Sequence, residues 1–210
     1  MNLSPQNLIL ISLGVALIPT LLGVFTSYLK ISIVLGMLKN ALGTQSTPSG
    51  LVVMAVSLVL SLFVMFPVIE QVSNNLQKRD LKSLSFSISS IQSLKEEFSP
   101  LIEFMKKNAS EREIIFFKTL HKESESDSLM IIAPSFLLTE LREAFSMALL
   151  LLLPFAVIDM VVANILGGLG MFMVTPTLLS LPLKLLVFTM GDGWLYLSKI
   201  LLASYGVGNA

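Results

Sequence analysis

The sequence predicts an all-α membrane protein, and three observations lead to this fold class. Of the 210 residues, 54% are hydrophobic and only 13% are charged, whereas an ordinary soluble domain carries about 25% charged residues. The charge is unevenly distributed, because residues 70–143 hold 10 of the 14 Lys and Arg and 12 of the 14 Asp and Glu. Long apolar runs make up the two ends. We therefore expect two helical hairpins, containing four apolar segments that can insert into a bilayer, on either side of a small and mostly helical polar domain.

The N-terminal hairpin is predicted over residues 1–69. Leu8 to Leu29 has no charge and is long enough to cross a hydrocarbon core of about 30 Å. Nothing basic precedes it and no small-residue cleavage pattern follows it, so we interpret it as a retained segment and not a signal peptide. Leu51 to Ile69 is the second apolar segment, after the turn-prone residues 43–50. We expect Lys30 and Lys39 to lie in the loop between the two segments.

The polar centre, residues 70–136, is predicted to be a small aqueous domain. Residues 83–93 alternate serine with apolar side chains and are compatible with either a strand or a linker. After them, Leu94, Phe98, Leu101 and Met105 recur at helical spacing. Residues 110–113 read Ser-Glu-Arg-Glu, a capping box that predicts the start of a further helix.

The C-terminal hairpin is predicted over residues 137–210. Its apolar segments are Ala144–Leu166 and Leu185–Tyr205, joined by a glycine-rich loop at residues 167–176. Proline, glycine and charged residues interrupt both segments, which makes them poor lipid-facing helices and indicates an oligomer around a polar path. By the positive-inside rule, Lys30, Lys39 and Lys184 would be cytoplasmic, with the polar centre and both termini on the periplasmic side.

Sequence motifs give no support for an enzyme, a metal or a cofactor. The chain contains no cysteine and one histidine, and it lacks the phosphate-binding and zinc-protease motifs. Its net charge of zero gives no argument for nucleic-acid binding. Asp159 and Asp192 could be the dyad of an intramembrane protease, but Met190-Gly191-Asp192-Gly193 is not the Gly-x-Gly-Asp of those enzymes. Because an unpaired charge at membrane depth is costly, pairing of Asp159 with a cation such as Lys184 is favoured.

Met171, Phe172 and Met173 form an apolar cluster in the predicted C-terminal loop. Methionine is flexible and could form a seal that closes tightly and still yields. The same composition is equally compatible with packing against lipid or in a core. In the seal interpretation, Gly167, Gly168 and Gly170 would act as a loop hinge, and Pro176 would fix the point where the loop rejoins a helix.

Several segments resemble one family. The run from Leu153 to Leu166 is followed in the family order by Gly170-Met171-Phe172-Met173 and Pro176, then by residues 181–185 and Asp192-Gly193-Trp194. Residues 28–34, 40–43 and 63–68 are similar as well. On these residues the chain resembles the FliP/SctR family, the export-gate subunits of bacterial flagella and type III injectisomes. The resemblance covers both apolar ends and leaves the polar centre largely unmatched.

The resemblance implies a pore-forming subunit of the bacterial inner membrane that conducts unfolded substrate proteins. It implies a ring of about five copies of this chain, two companion export-gate membrane subunits, and an assembled core raised toward the periplasm. A methionine-rich gate loop maps onto Met171, Phe172 and Met173, where Phe172 departs from the all-methionine form. Glu140, Asp159 and Lys184 match residues important for export or assembly.

Two alternatives concern the branch of the family and the function of the chain. Flagellar members commonly begin with a cleavable signal peptide, so the injectisome branch, associated with virulence, is favoured. The alternative function is an ion- or solute-coupled transporter that uses Asp159 and Lys184 as relay residues.

Overall fold

A computed structural model describes residues 8, 12–13, 16, 23–44, 48–77, 97–121 and 128–207. Within these residues all regular secondary structure is helical, which confirms the all-α membrane class. Half of the predicted apolar segment Leu8–Leu29 and all of the serine-rich residues 83–93 lie outside the described residues. The helices whose bounds the structure gives are α1 (Tyr28–Ala41), α2 (Gly50–Gln77), α3 (Ser99–Asn108), α4 (Glu111–His121), α5 (Leu129–Gly168), α6 (Pro176–Met190) and α7 (Gly193–Ala203).

Two of these helices are long and apolar enough to cross a membrane by themselves. The most apolar windows of α2 and α5 have mean hydropathies of 2.7 and 2.5. With 28 and 40 residues, the two helices extend about 42 Å and 60 Å at a rise of 1.5 Å per residue. Both lengths exceed the hydrocarbon thickness of about 30 Å. The expected segments Leu51–Ile69 and Ala144–Leu166 are therefore confirmed as parts of longer helices.

The expected segment Leu185–Tyr205 is not one helix. The chain is helical from Pro176 to Met190, breaks, and resumes at Gly193 with a bend of 64°. Asp192 has a φ of 48°, the sole positive φ of a non-glycine residue in the described part of the chain. A side chain at Gly193 would overlap the ring of Phe188. Together α6 and α7 count as a third membrane-length element only if the bent pair is a single span.

The expected position of Lys30 and Lys39 is also wrong. Both residues belong to α1 and not to a loop, because Ile31, Val34, Leu35 and Leu38 recur at helical spacing and are at most 3% exposed. Lys30 itself is only 1% exposed. The positive-inside argument therefore loses Lys30 as a loop charge, and the orientation of the chain stays a prediction.

The chain divides into two compact units that alternate along the sequence. The first contains the described residues of Met1–Leu29 and Met65–Glu140, and the second contains Lys30–Val64 and Leu141–Ala210. The predicted division into 1–69, 70–136 and 137–210 follows polarity along the chain and stays a prediction.

The first unit is organised around α3, α4 and the beginning of α5. Met105 packs with Ile132 and Phe136, all fully buried, and the ring of Phe136 meets that of Phe104 edge-on at 5.9 Å. The predicted helix start is confirmed, since α4 begins at Glu111. The backbone N–H of Ser110 donates to Thr139 Oγ1 at 2.9 Å, so the polar group at this helix start is satisfied by α5.

The second unit has α1 at its centre. The buried face of α1 packs against side chains of α5, α6 and α7, including Ala144, Phe155, Phe188, Leu197 and Leu201. Phe188 also contacts Trp194 edge-on, with ring centroids 5.2 Å apart.

Candidate functional site

The first candidate site joins α5 and α6 through Asp159 and Lys184. Lys184 Nζ lies 2.6 Å from Asp159 Oδ2 and also donates to the backbone carbonyl of Ala41 at 3.0 Å. Ser180 Oγ donates to the second carboxylate oxygen, Oδ1, at 2.5 Å. The predicted pairing of Asp159 with Lys184 is thus confirmed, and both carboxylate oxygens of Asp159 are engaged.

Burial in this cluster is asymmetric. The Lys184 side chain is 4% exposed, whereas that of Asp159 is 37% exposed. A buried ammonium needs a full set of acceptors, and here a carboxylate and the carbonyl at the end of α1 provide two of them. The cluster therefore fastens α6 to both α5 and α1.

A second buried lysine was not predicted as a site. Lys30 Nζ lies 2.8 Å from Glu143 Oε2 on α5, and it sits 4.1 Å from the centroid of the Tyr205 ring. The side chain of Lys30 is 1% exposed and that of Glu143 is 41% exposed. The available signal was that Lys30 is an isolated charge beside a long apolar run, which indicates pairing as readily as a loop.

The predicted gate residues lie in the connection between α5 and α6. Met171 is 45% exposed, Phe172 is 85% exposed and Met173 is 99% exposed. The interpretation that these three side chains pack in a core is therefore wrong within the described part of this chain. Phe172 and Met173 are among the most exposed of the many apolar side chains that the described residues leave uncovered.

The loop is shorter than predicted and its start is ordered. Gly167 and Gly168 belong to the last turn of α5 and not to the loop. Gly170 follows with a φ of 74°, and its N–H donates to the Gly167 carbonyl while that of Met171 donates to the Leu166 carbonyl. This pair of bonds is a Schellman motif, which closes a helix with glycine in the left-handed region.

Pro176 marks the other end of the loop. It is the first residue of α6, where the missing N–H of proline costs no hydrogen bond. The exposed residues 171–173 are thus held between two defined helix ends.

Glu140, the remaining predicted site residue, lies on α5 in the first compact unit and is fully buried. Its role in assembly stays a prediction.

Together, the apolar helices and the two fastened lysines define a helical membrane protein. The family follows from comparison with known proteins. The sequence model of the FliP family matches residues 9–201, and the chain belongs to this family. The resemblance identified from its residues is confirmed.

Three relatives are similar to this chain over nearly the whole length of both proteins. The chain is 37% identical to the Yop proteins translocation protein R of Yersinia pestis, over 95% of this chain and 96% of that protein. It is 36% identical to the virulence protein YscR of Salmonella typhimurium, covering 91% and 92% of the two chains. It is also 36% identical to the hypersensitivity response secretion protein HrcR of Ralstonia nicotianae, covering 97% and 99%.

Proposed function

We propose that this protein is a pore-forming core subunit of a type III secretion export gate, which conducts unfolded proteins across the bacterial inner membrane. A role in a secretion system follows from the family and from its relatives, whose names refer to translocation and secretion. The finer proposal is that several copies, with two companion membrane subunits, surround the path of the substrate. It concerns an injectisome in preference to a flagellum.

The observation that carries the pore proposal is the exposure of the loop between α5 and α6. Phe172 and Met173 are 85% and 99% exposed, although they are among the most apolar residue types. A ring of copies would bring these side chains together around one axis. A dry apolar constriction resists wetting by water and ions, and flexible methionines can move aside for a passing chain.

The helix ends on each side of the loop support the same proposal. A seal needs a fixed base and a deformable tip. The Schellman closure at Gly170 and the helix start at Pro176 provide the base, and the exposed side chains provide the tip.

The direct test replaces Met171, Phe172 and Met173 with alanine and measures ion leak and ring formation in the same membranes. We expect rings to assemble, ion conductance to rise, and secretion to survive better than after Asp159→Ala. Met190→Ala and Met160→Ala are matched controls, because these methionines are 79% and 66% exposed outside the loop. A triple variant that assembles normally and stays tight to ions would contradict the gate.

The orientation of the polar centre is a separate part of the proposal. We propose that residues 70–136 are periplasmic, and a reporter inserted at Ser124 tests this. A reporter active only in the cytoplasm should be inactive at this position. Cytoplasmic activity at Ser124 would reverse the orientation and leave the gate unaffected.

The alternative function, an ion-coupled transporter, draws less support from the charged residues. A relay carboxylate must exchange partners during transport. Asp159 instead has both oxygens engaged, by Lys184 and Ser180, an arrangement suited to holding helices together.

A further inference from the structure

The outer face of α7 is exposed and carries a negative and a positive charge. The inner face packs in the core, where Leu197 is 2% exposed. On the outer face Leu195 is 58% exposed and Tyr196 is 65% exposed. Asp192 precedes these two residues and Lys199 follows them, and both charged residues are exposed. We call Asp192, Leu195, Tyr196 and Lys199 the α7 stripe.

The two charges of the α7 stripe lie on the same side of the helix. The N–H of Tyr196 donates to the Asp192 carbonyl at 3.0 Å, so Asp192 is continuous with α7. Seven residues are almost two turns of a helix, which places Lys199 on the same side about 10.5 Å further along the axis. In the described part of the chain, the side chains of Asp192 and Lys199 make no hydrogen bond and no ion pair.

The local backbone does not require a carboxylate at Asp192. Its φ of 48° lies in the left-handed region, which glycine adopts most easily and asparagine tolerates as aspartate does. The side chain caps no N–H of α7. The bend between α6 and α7 is thus compatible with aspartate but makes no use of its charge.

A partner that covers the α7 stripe must match its charges as well as its apolar side chains. Burial of Leu195 and Tyr196 is favourable, but the carboxylate and the ammonium beside them lose water in the same contact. A buried charge is costly unless an opposite charge meets it. The partner therefore has to bring a cation to Asp192 or an anion to Lys199. A second α7 stripe carries both groups beside the same apolar pair.

We propose that the α7 stripe joins copies of this chain, with the Asp192 carboxylate of one copy paired with the Lys199 ammonium of the next. This inference rests on the ring in the proposed function and names a helix face that holds it together. Contacts in a closed ring are head-to-tail, so the acidic end of one stripe meets the basic part of its neighbour. Rotation about the ring axis produces no shift along that axis. Residues two turns apart can therefore meet only if α7 is inclined to it.

The main test is disulfide crosslinking in membranes, for which the absence of cysteine from the chain is an advantage. The variant combines Asp192→Cys with Lys199→Cys. A disulfide needs Cα atoms within about 7 Å, so two positions about 10.5 Å apart on one helix cannot join within a copy. We expect oxidation to give a ladder of crosslinked copies of this chain.

The matched control combines Asp192→Cys with Ser198→Cys. Ser198 is the neighbour of Lys199 but lies on another side of α7, where its hydroxyl donates to the carbonyl of Trp194. This pair should crosslink no more than the single-cysteine variants. Equal ladders from the two pairs would overturn the proposal, and so would crosslinks that join this chain only to a different subunit.

Native gels of the unmodified protein separate this inference from the gate itself. Rings that form while the Asp192→Cys and Lys199→Cys pair stays uncrosslinked would overturn the α7 contact and leave the gate proposal standing. If the unmodified protein forms no ring, both proposals fail.

Exchange of the charges tests the ion pair. Asp192→Lys and Lys199→Asp each bring like charges together and should lower ring yield, and the double variant should recover it. Asp192→Asn keeps a residue that tolerates the left-handed backbone. It should weaken each contact roughly two- to fivefold, the range for a partly exposed ion pair, without changing the thermal stability of the separated chain. Ring yields that are equal for all variants, or that the double variant does not recover, would contradict the pairing.

Discussion

Lys184 and Lys30 are both buried, and their charges are compensated by different sets of contacts. Lys184 is held by a carboxylate whose second oxygen is engaged by Ser180, and by the backbone carbonyl of Ala41. Lys30 is held by one oxygen of Glu143 and by the face of the Tyr205 ring. In both pairs the lysine is almost completely buried, and the carboxylate is 37% or 41% exposed.

The difference lies in the hydrogen bonds of the second carboxylate oxygen. At the Asp159 site both carboxylate oxygens accept a hydrogen bond, from Lys184 and from Ser180. At the Glu143 site the described residues supply one such bond, from Lys30 to Oε2. Exposure of the carboxylate alone would not have separated the two cases, because the exposed fractions are nearly equal.

The largest effect is expected for Asp159→Ala. The change removes the carboxylate and leaves the buried Lys184 ammonium with the carbonyl of Ala41 as acceptor. Breaking a buried pair costs about 3–5 kcal/mol, and the cost is lower here because Asp159 is partly exposed. Ring yield on native gels and thermal stability of the extracted protein should both fall sharply. Asp159→Asn should be milder, because its amide oxygen still accepts a hydrogen bond.

Exchange of the two charges sharpens this prediction. Asp159→Lys combined with Lys184→Asp restores an ion pair, but a carboxylate at position 184 would face the carbonyl of Ala41 and repel it. We therefore expect partial rescue relative to either single change. Purely additive losses in ring yield would show that the two residues do not act as a pair.

A smaller effect is expected for Glu143→Ala, because the Tyr205 ring still faces Lys30. A cation–π contact is worth about 2 kcal/mol or more when desolvated. The double variant with Tyr205→Leu should lose more stability than the sum of the single changes, by about 0.5–3 kcal/mol. Tyr205→Phe keeps the ring and is the control; additivity in thermal unfolding would show that the carboxylate and the ring act separately.

The smallest effect is expected for Ser180→Ala, which frees Asp159 Oδ1 and makes this site resemble the one at Glu143. A hydrogen bond to a charged group contributes about 1.5–3 kcal/mol, reduced here by access of water. Ser198→Ala is a matched control, since the Ser198 hydroxyl donates to the carbonyl of Trp194 on its own helix and, among the described residues, to no carboxylate. Equal thermal stability of the two variants would show that the second oxygen of Asp159 needs no protein partner.

Much of the fold and part of the site could be predicted from the sequence, because hydropathy and helical spacing are local properties. The apolar runs within α2 and α5 predict long helices without any knowledge of the segments that pack against them. Proline at position 176 and glycine at position 170 mark the ends of the loop through their own backbone preferences. The pairing of Asp159 with Lys184 was predictable because a lone membrane charge needs an opposite one.

Only the tertiary structure decided where Lys30 lies and how α6 and α7 meet. An isolated lysine beside an apolar run is compatible with a loop or with a buried pair, and the choice depends on Glu143 and Tyr205, which are distant in sequence. Next to the break at Asp192, the Phe188 ring occupies the space that a side chain at position 193 would need, so only glycine fits there. Composition and spacing describe what each segment can do alone, whereas these two features arise from contacts between segments, and such contacts exist only after the helices pack.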